Sequence, residues 1–256
     1  MGYSFGASAN HKLNGGALTR ATTASSAAFR FKINAANTAV RTVGIYEDAG
    51  SSTWNYRLRF STGTTNQITY MFSRDGGGNT TLLTWTTGFA AGTTHTIVTT
   101  YDGANMRIYA DTDSTAKVSQ AETGTPLTTG SLAFFMGGNA ASGVNSLDGV
   151  MYETAWWPTT TLTGAQAAQF GAGFTADMLR PLPSNHWLLI GDAVDHIGGV
   201  AASVTGATLV AHTPIYRPTS VSVYAAAVST FTLGAGIRRT LSELGTRMGS
   251  RQAQEN

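Results

Sequence analysis

From Ala27 to about Asn139 the chain repeats one unit, a short β-branched and aromatic run followed by a turn of Gly, Asp, Asn or Thr. The unit recurs about every ten residues, the spacing of an all-β sandwich or barrel. Runs this short cannot carry amphipathic helices, so the pattern restricts this part of the chain to antiparallel β architecture. Strands are expected near Ala28 to Asn34, Arg41 to Tyr46, Asn55 to Phe60, Gln67 to Ser73, Thr81 to Thr86, His95 to Tyr101, Met106 to Ala110 and Ser131 to Met136.

Alternation assigns faces. Trp54, Tyr56, Leu58 and Phe60 fall on one side, which places Asn55, Arg57 and Arg59 on the other. Phe29, Phe31 and Ile33 alternate with Arg30 and Lys32 in the same way. The turns at Asp75-Gly76-Gly77-Gly78 and Asp102-Gly103-Ala104-Asn105 supply residues that tolerate positive φ. The expected core includes Phe29, Phe31, Tyr56, Leu58, Ile97 and Ile108.

Beyond Thr163 the rhythm changes. Gly164 to Phe170 is rich in Ala and Gln, with Thr163 placed to cap a short helix that ends at Gly171. Trp187 to Ile190 and a hairpin-like Val200 to Val210 restore β character up to Pro218. The organisation read from the chain is a sandwich with a β extension over residues 1–218 and a tail over 219–256. In the tail Ile237, Leu241, Leu244 and Met248 are spaced as one face of a helix, flanked by Arg238, Arg239 and Arg247. Such a stripe needs a surface to cover it, which makes the tail a candidate docking segment.

Charged residues are only 12% of the chain, against ~25% in ordinary soluble domains. The polar surface is therefore mostly neutral, which suits packing into an assembly or binding sugar, because few charges must be desolvated. The net charge is +2 and the basic residues, mostly Arg, are dispersed, so no nucleic-acid footprint forms. No apolar run approaches the length of a membrane span, and MGYSFGASANHKL lacks the pattern of a secretory leader. With no cysteine, neither disulfides nor thiolate metal sites contribute.

Specific segments carry a family resemblance. His95-Thr-Ile-Val-Thr-Thr-Tyr101-Asp102-Gly103-Ala-Asn-Met-Arg-Ile108-Tyr109 has a strand, an Asp-Gly turn and a second strand, followed by Asp111-Thr112-Asp113. Leu132-Ala-Phe-Phe-Met-Gly-Gly138-Asn139 and Leu147-Asp148-Gly149-Val150-Met-Tyr-Glu153-Thr-Ala-Trp156 come next, then Leu162-Thr163 and the short helix. With Tyr3 to Leu13 as the opening strand, residues 3–173 resemble the laminin-G-like, concanavalin A-like jelly rolls in order and spacing. The resemblance implies an antiparallel β-sandwich, a fold that hosts lectins, glucanases, adhesion modules and virion proteins.

A second resemblance covers Trp187-Leu-Leu-Ile-Gly-Asp-Ala-Val-Asp195-His-Ile-Gly198-Gly199, Val204-Thr-Gly-Ala and His212-Thr-Pro214-Ile-Tyr-Arg217-Pro218. It is similar to the extension of laminin-G-like proteins encoded among bacteriophage structural genes, with His212-Thr-Pro departing from the His-Pro-Pro of that group. This implies a virion-surface protein, a capsid decoration or cement subunit, with capsid or other virion proteins and further copies of itself as partners. The alternative is a non-catalytic glycan-binding module for host polysaccharide. A glycoside hydrolase ranks third.

Catalytic patterns are weak. A retaining glucanase needs carboxylates roughly 5 Å apart on one face. Glu47-Asp48 and Asp111/Asp113 lack the required spacing, and Glu153 stands alone. His11, His95, His186, His196 and His212 form no metal-binding or catalytic motif in sequence, so no enzyme is expected. Asp48, Asp75, Asp102, Asp111 and Asp113 suit turn capping better than calcium, which rim loops of the family can hold. Trp54, Trp85, Trp156 and Trp187 read as core, whereas Trp157, next to Pro158, reads as exposed. Arg57 and Arg59, with Arg41 and Arg107, form either a solvated strand face or an interface for an acidic partner.

Overall fold

In the computed structural model, the residues described are 2–6, 10–48, 53–75, 77–127, 132–139 and 145–211. They belong to one compact unit, Met1–Arg217. The tail stripe Ile237, Leu241, Leu244 and Met248, with Arg238 and Arg239, lies outside the described residues, as does His212.

The strands are β1 (Gly2–Phe5), β2 (Lys12–Asn14), β3 (Ser25–Ile33), β4 (Arg41–Asp48), β5 (Trp54–Phe60), β6 (Gln67–Ser73), β7 (Thr80–Thr86) and β8 (Thr94–Tyr101). They continue with β9 (Asn105–Ala110), β10 (Val118–Ala121), β11 (Leu132–Met136), β12 (Gly149–Trp157), β13 (Asn185–Leu188), β14 (Ser203–Thr205) and β15 (Thr208–Val210). Helix α1 (Gly164–Gly171) and a single 3₁₀ turn, Ala176–Met178, follow β12.

Two antiparallel sheets form a sandwich. One runs β10-β9-β8-β3-β12-β1-β15, with β13 also on β12, and the other runs β14-β2-β11-β4-β5-β6-β7. β1 and β13 share one edge of β12, β1 covering Gly149 to Met151 and β13 covering Glu153 to Trp156. Each strand expected between Ala28 and Met136 forms, while β10 and the division of the opening segment into β1 and β2 were not anticipated.

The expected core residues Phe29, Phe31, Tyr56, Leu58, Ile97 and Ile108 are all buried between the sheets. Phe134 is a hub of aromatic packing, 5.8 Å from the Trp156 ring and stacked 6.0 Å from Trp187. Gly44 sits over Phe29, where a Cβ would lie 2.4 Å from the ring, so only glycine lets that ring fill the layer. Thr163 caps α1 in a reciprocal box with Gln166.

Three expectations are corrected. Trp54 does not face the core with Tyr56. A bulge between Tyr46 and Glu47 pairs Trp54 with Glu47 and turns its ring to the outer face, beside Ile45, Met71 and Phe135. Val200 to Val210 is not a hairpin: β14 joins β2 in one sheet and β15 joins β1 in the other, so the chain crosses the sandwich end. Trp157 is buried, packed under α1 on the outer face of the eight-stranded sheet, with its indole N–H donating to Pro181 O at 3.0 Å.

Candidate functional site

A pocket of about 540 Å³ opens at the rim between the sheets. β7 contributes Trp85, the connection to β8 contributes Gly88 and Phe89, and β8 contributes His95. Ala110, Asp111, Thr112, Asp113 and Lys117, at and beyond the end of β9, complete the lining. Alternation along β7 puts Leu83 and Trp85 on one face, Leu83 in the core and Trp85, near the strand end, partly buried against it.

Aromatic packing fixes this wall. Phe89 lies 6.1 Å from core Phe31, meets Trp85 edge-on at 5.6 Å and stacks on His95 at 4.0 Å. Trp85 is half-buried, and among the described residues it is the tryptophan that keeps ring surface for a partner. Read from the sequence as core, Trp85 does pack against the core and also lines the pocket.

Hydrogen bonds fix the polar wall. Asp111, held at φ +51°, accepts the Thr96 N–H at 2.9 Å through Oδ1, and its Oδ2 lies 3.3 Å from His95 Nδ1. Asp113 accepts the Thr115 N–H and Lys117 Nζ, each at 2.8 Å. The Lys117 ammonium, followed by that backbone donor, holds the Asp113 carboxyl below the usual carboxylate range. Asp111 and Asp113 side chains remain 47% and 42% exposed, so each keeps oxygen lone pairs open to solvent. Gly171 and Gly164 of α1 press on Asp111 O and Ser114 O, where a Cβ would come within 1.7 and 1.9 Å. The helix thereby buttresses the turn that carries the acids.

His95 Nε2 lies 2.6 Å from Thr93 Oγ1, which completes an acid, imidazole and hydroxyl chain. Thr93 donates its hydroxyl proton to Ala90 O at 2.7 Å, so the group is engaged as a turn cap. The arrangement offers what a sugar needs: an aromatic face for C–H surface and carboxyl oxygens to accept from hydroxyls.

The structure places the other candidates as follows. Arg57 and Arg59 do share the outer face of β5, where Arg57 lies over the Trp54 ring at 4.6 Å and 3.5 Å from Glu47. Arg107 is on the other sheet, paired with Asp102 at 2.5 Å, and Arg41 stands opposite core-facing Phe60, so neither joins them. Asp75 and Asp102 cap the amides of Gly77 and Asn79, and of Ala104 and Asn105. Among the described residues no three His, Asp or Glu side chains converge as a metal site.

Glu153 is not alone. It is sealed beneath α1 with Arg30 at 3.1 Å and His186 at 2.9 Å, and accepts the Ala176 N–H at 2.7 Å. Sequence spacing concealed this cluster because its members lie on three strands.

The sequence model of the concanavalin A-like lectin/glucanases superfamily matches residues 5–168. The chain belongs to that superfamily. Among curated proteins, no sequence matches it. Among solved structures it is similar to a putative carbohydrate binding protein from Bacteroides ovatus, at TM-score 0.59 and 15% identity over 81% of this chain and 58% of that one. It is also similar to a heptameric SAP-like pentraxin from Limulus polyphemus, at TM-score 0.51 and 12% identity over 80% of this chain and 95% of that one. A third likeness is to the CBM40 of a Ruminococcus gnavus IT-sialidase bound to α2,3-sialyllactose, at TM-score 0.50 and 9% identity, covering 59% and 83% of the two chains. At these identities the superfamily membership and the shared fold are what the likenesses establish. The chain spans little more than half of the Bacteroides protein's length.

Proposed function

We propose that this protein is a non-catalytic carbohydrate-binding module whose rim pocket takes a sugar ring against Trp85. The single observation that carries the reading is that this half-buried indole and two half-exposed carboxylates line one pocket. Superfamily membership and the likeness to the carbohydrate binding protein of B. ovatus and to the sialyllactose-bound module of R. gnavus support a saccharide as the occupant. Asp111 and Asp113 would accept hydroxyl protons of a neutral hexose, and Lys117 would donate.

Binding without turnover fits the same geometry. Asp113 is engaged with Lys117, Asp111 lies against His95, and the Thr93 proton is committed to Ala90 O. Display on a virion is compatible with this reading. The described part of the segment behind the phage resemblance is woven into both sheets through β13, β14 and β15, and the candidate docking tail, residues 219–256, lies outside the described residues.

The test is a glycan array followed by calorimetry on the best neutral oligosaccharide. Trp85→Ala is expected to weaken binding about tenfold or more, the loss of one stacked ring. Absence of any neutral-glycan binding by the wild-type chain, or retention of full affinity by Trp85→Ala, overturns the reading. Release of reducing sugar from that ligand would overturn its non-catalytic part.

A further inference from the structure

The run Thr-Thr-Leu-Leu-Thr-Trp-Thr that forms β7 holds no charge, proline or glycine. It pairs with β6 residue for residue, from Thr80 opposite Ser73 to Thr86 opposite Gln67, without a bulge. On its other side β7 has no neighbouring strand, because it ends the seven-stranded sheet. Sheet edges carry unpaired N–H and C=O groups, and proteins blunt them with short strands, charges, prolines or bulges. The other strands that end the two sheets follow this rule. β14 and β15 are three residues long, and β10, four residues long, lies between Lys117 and Glu122. β7, at seven residues, has none of these devices.

The hydrogen-bond phase shows which groups of this edge are open. The Arg74 N–H donates to Asn79 O at one end of the β6–β7 hairpin and the Thr87 N–H to Asn66 O at the other, each at 3.1 Å. Antiparallel ladders alternate, so Thr81, Leu83 and Trp85 turn their backbone groups to β6, while Thr80, Leu82, Thr84 and Thr86 turn theirs away. Among the described residues, no hydrogen bond reaches the outward N–H and C=O groups of Leu82, Thr84 and Thr86. All three residues are exposed, Leu82 to 49%. The edge is therefore a row of accessible, unpaired donors and acceptors with an apolar side chain among them.

We propose that β7 pairs with β7 of a second copy of this chain, antiparallel about a two-fold axis at Leu83, so that the two seven-stranded sheets join edge to edge. The strand fits its own copy. About that axis Leu82 lies opposite the second copy's Thr84, and Thr80 opposite its Thr86, so each outward N–H meets an outward C=O. A two-fold contact sets a strand against itself, which would bring like charges together on a charged strand, and β7 has no charge to repel. The two Leu82 side chains become diagonal neighbours on the outer face and lose water to one another. A two-fold pair is also closed: it consumes the open edge rather than extending it into a fibre.

The experiment is sedimentation equilibrium of the full chain without sugar, across the micromolar range. A reversible dimer, twice the chain mass, is expected. Thr84→Pro removes an outward N–H while every bond of the β6 ladder is kept, and it should raise the dimer dissociation constant about tenfold or more. Leu82→Lys, at an exposed side chain, should do the same by placing two cations beside the axis, and it decides the matter if circular dichroism shows Thr84→Pro unfolded. Val204→Lys, on the edge strand β14, should leave the dimer intact. A wild-type chain that stays monomeric overturns the proposal, as does a dimer of unchanged strength in folded Leu82→Lys. Open-ended assemblies in place of a dimer overturn it, because a two-fold pair closes. Equal weakening by Val204→Lys overturns it too, since the effect would then follow added charge rather than the β7 edge. None of these readouts involves a saccharide, so carbohydrate binding at the rim pocket stands or falls separately.

Discussion

Arg30 Nε lies 3.1 Å from Glu153 Oε2, with the Glu153 side chain sealed from solvent and that of Arg30 nearly so. Each has further partners: Arg30 donates to Phe170 O and Phe174 O at 2.9 Å, and Glu153 Oε1 lies 2.9 Å from His186 Nε2. The pair thus fastens α1 and the segment after it to β3, β12 and β13. Glu153→Gln keeps the shape and removes the charge, leaving a buried guanidinium uncompensated. A loss of about 3–5 kcal/mol is expected in urea unfolding, whereas a loss under 1 kcal/mol would mean that the cluster contributes little beyond packing.

Leu58 is fully buried between the sheets. Leu58→Ala should cost about 2–5 kcal/mol by denaturant titration, from lost transfer free energy and the cavity left behind. A cost below 1 kcal/mol would show that the sheets collapse over the gap.

Gly44→Ala places a methyl 2.4 Å from the Phe29 ring. Overpacking of this kind should destabilise the fold by about 1–3 kcal/mol. Adding Phe29→Leu should recover part of the loss if the clash with the ring is the cause. A double variant as unstable as the two single losses added together would assign the effect to the backbone of β4 instead.

Acid should loosen the end of the sandwich at Glu122. Burial alone would raise this carboxyl, but hydrogen bonds from Arg74, Thr81 and the Gly124 N–H outweigh it and hold the group below the usual glutamate range. The folded pKa is below the unfolded one, so the contribution is fully present above the unfolded value near ~4.3 and lost as pH falls through the folded value. Unfolding free energy of the wild type should therefore fall more steeply below pH ~4.3 than that of Glu122→Gln. Parallel pH profiles would show that Glu122 is not a source of the acid sensitivity.

What the sequence determined by itself was local. Strand and turn rhythm, the buried row of Phe29 and Phe31, the arginines on one face of β5 and the Thr163 cap all follow from repeats of two residues or the chemistry of a single turn. Tertiary structure decided whatever depends on which strands are neighbours. Alternation cannot register the bulge that turns Trp54 outward, because the bulge is a mismatch in pairing with β4. Short strands separated by a Gly turn read as a hairpin, yet β14 and β15 find their partners in different sheets. Arg30 meets Glu153 across 123 positions, and Trp85 and Asp111 come to line one pocket only through the pairing of the strands that carry them. Burial and pairing at such separations are set by strand order, which no local periodicity encodes.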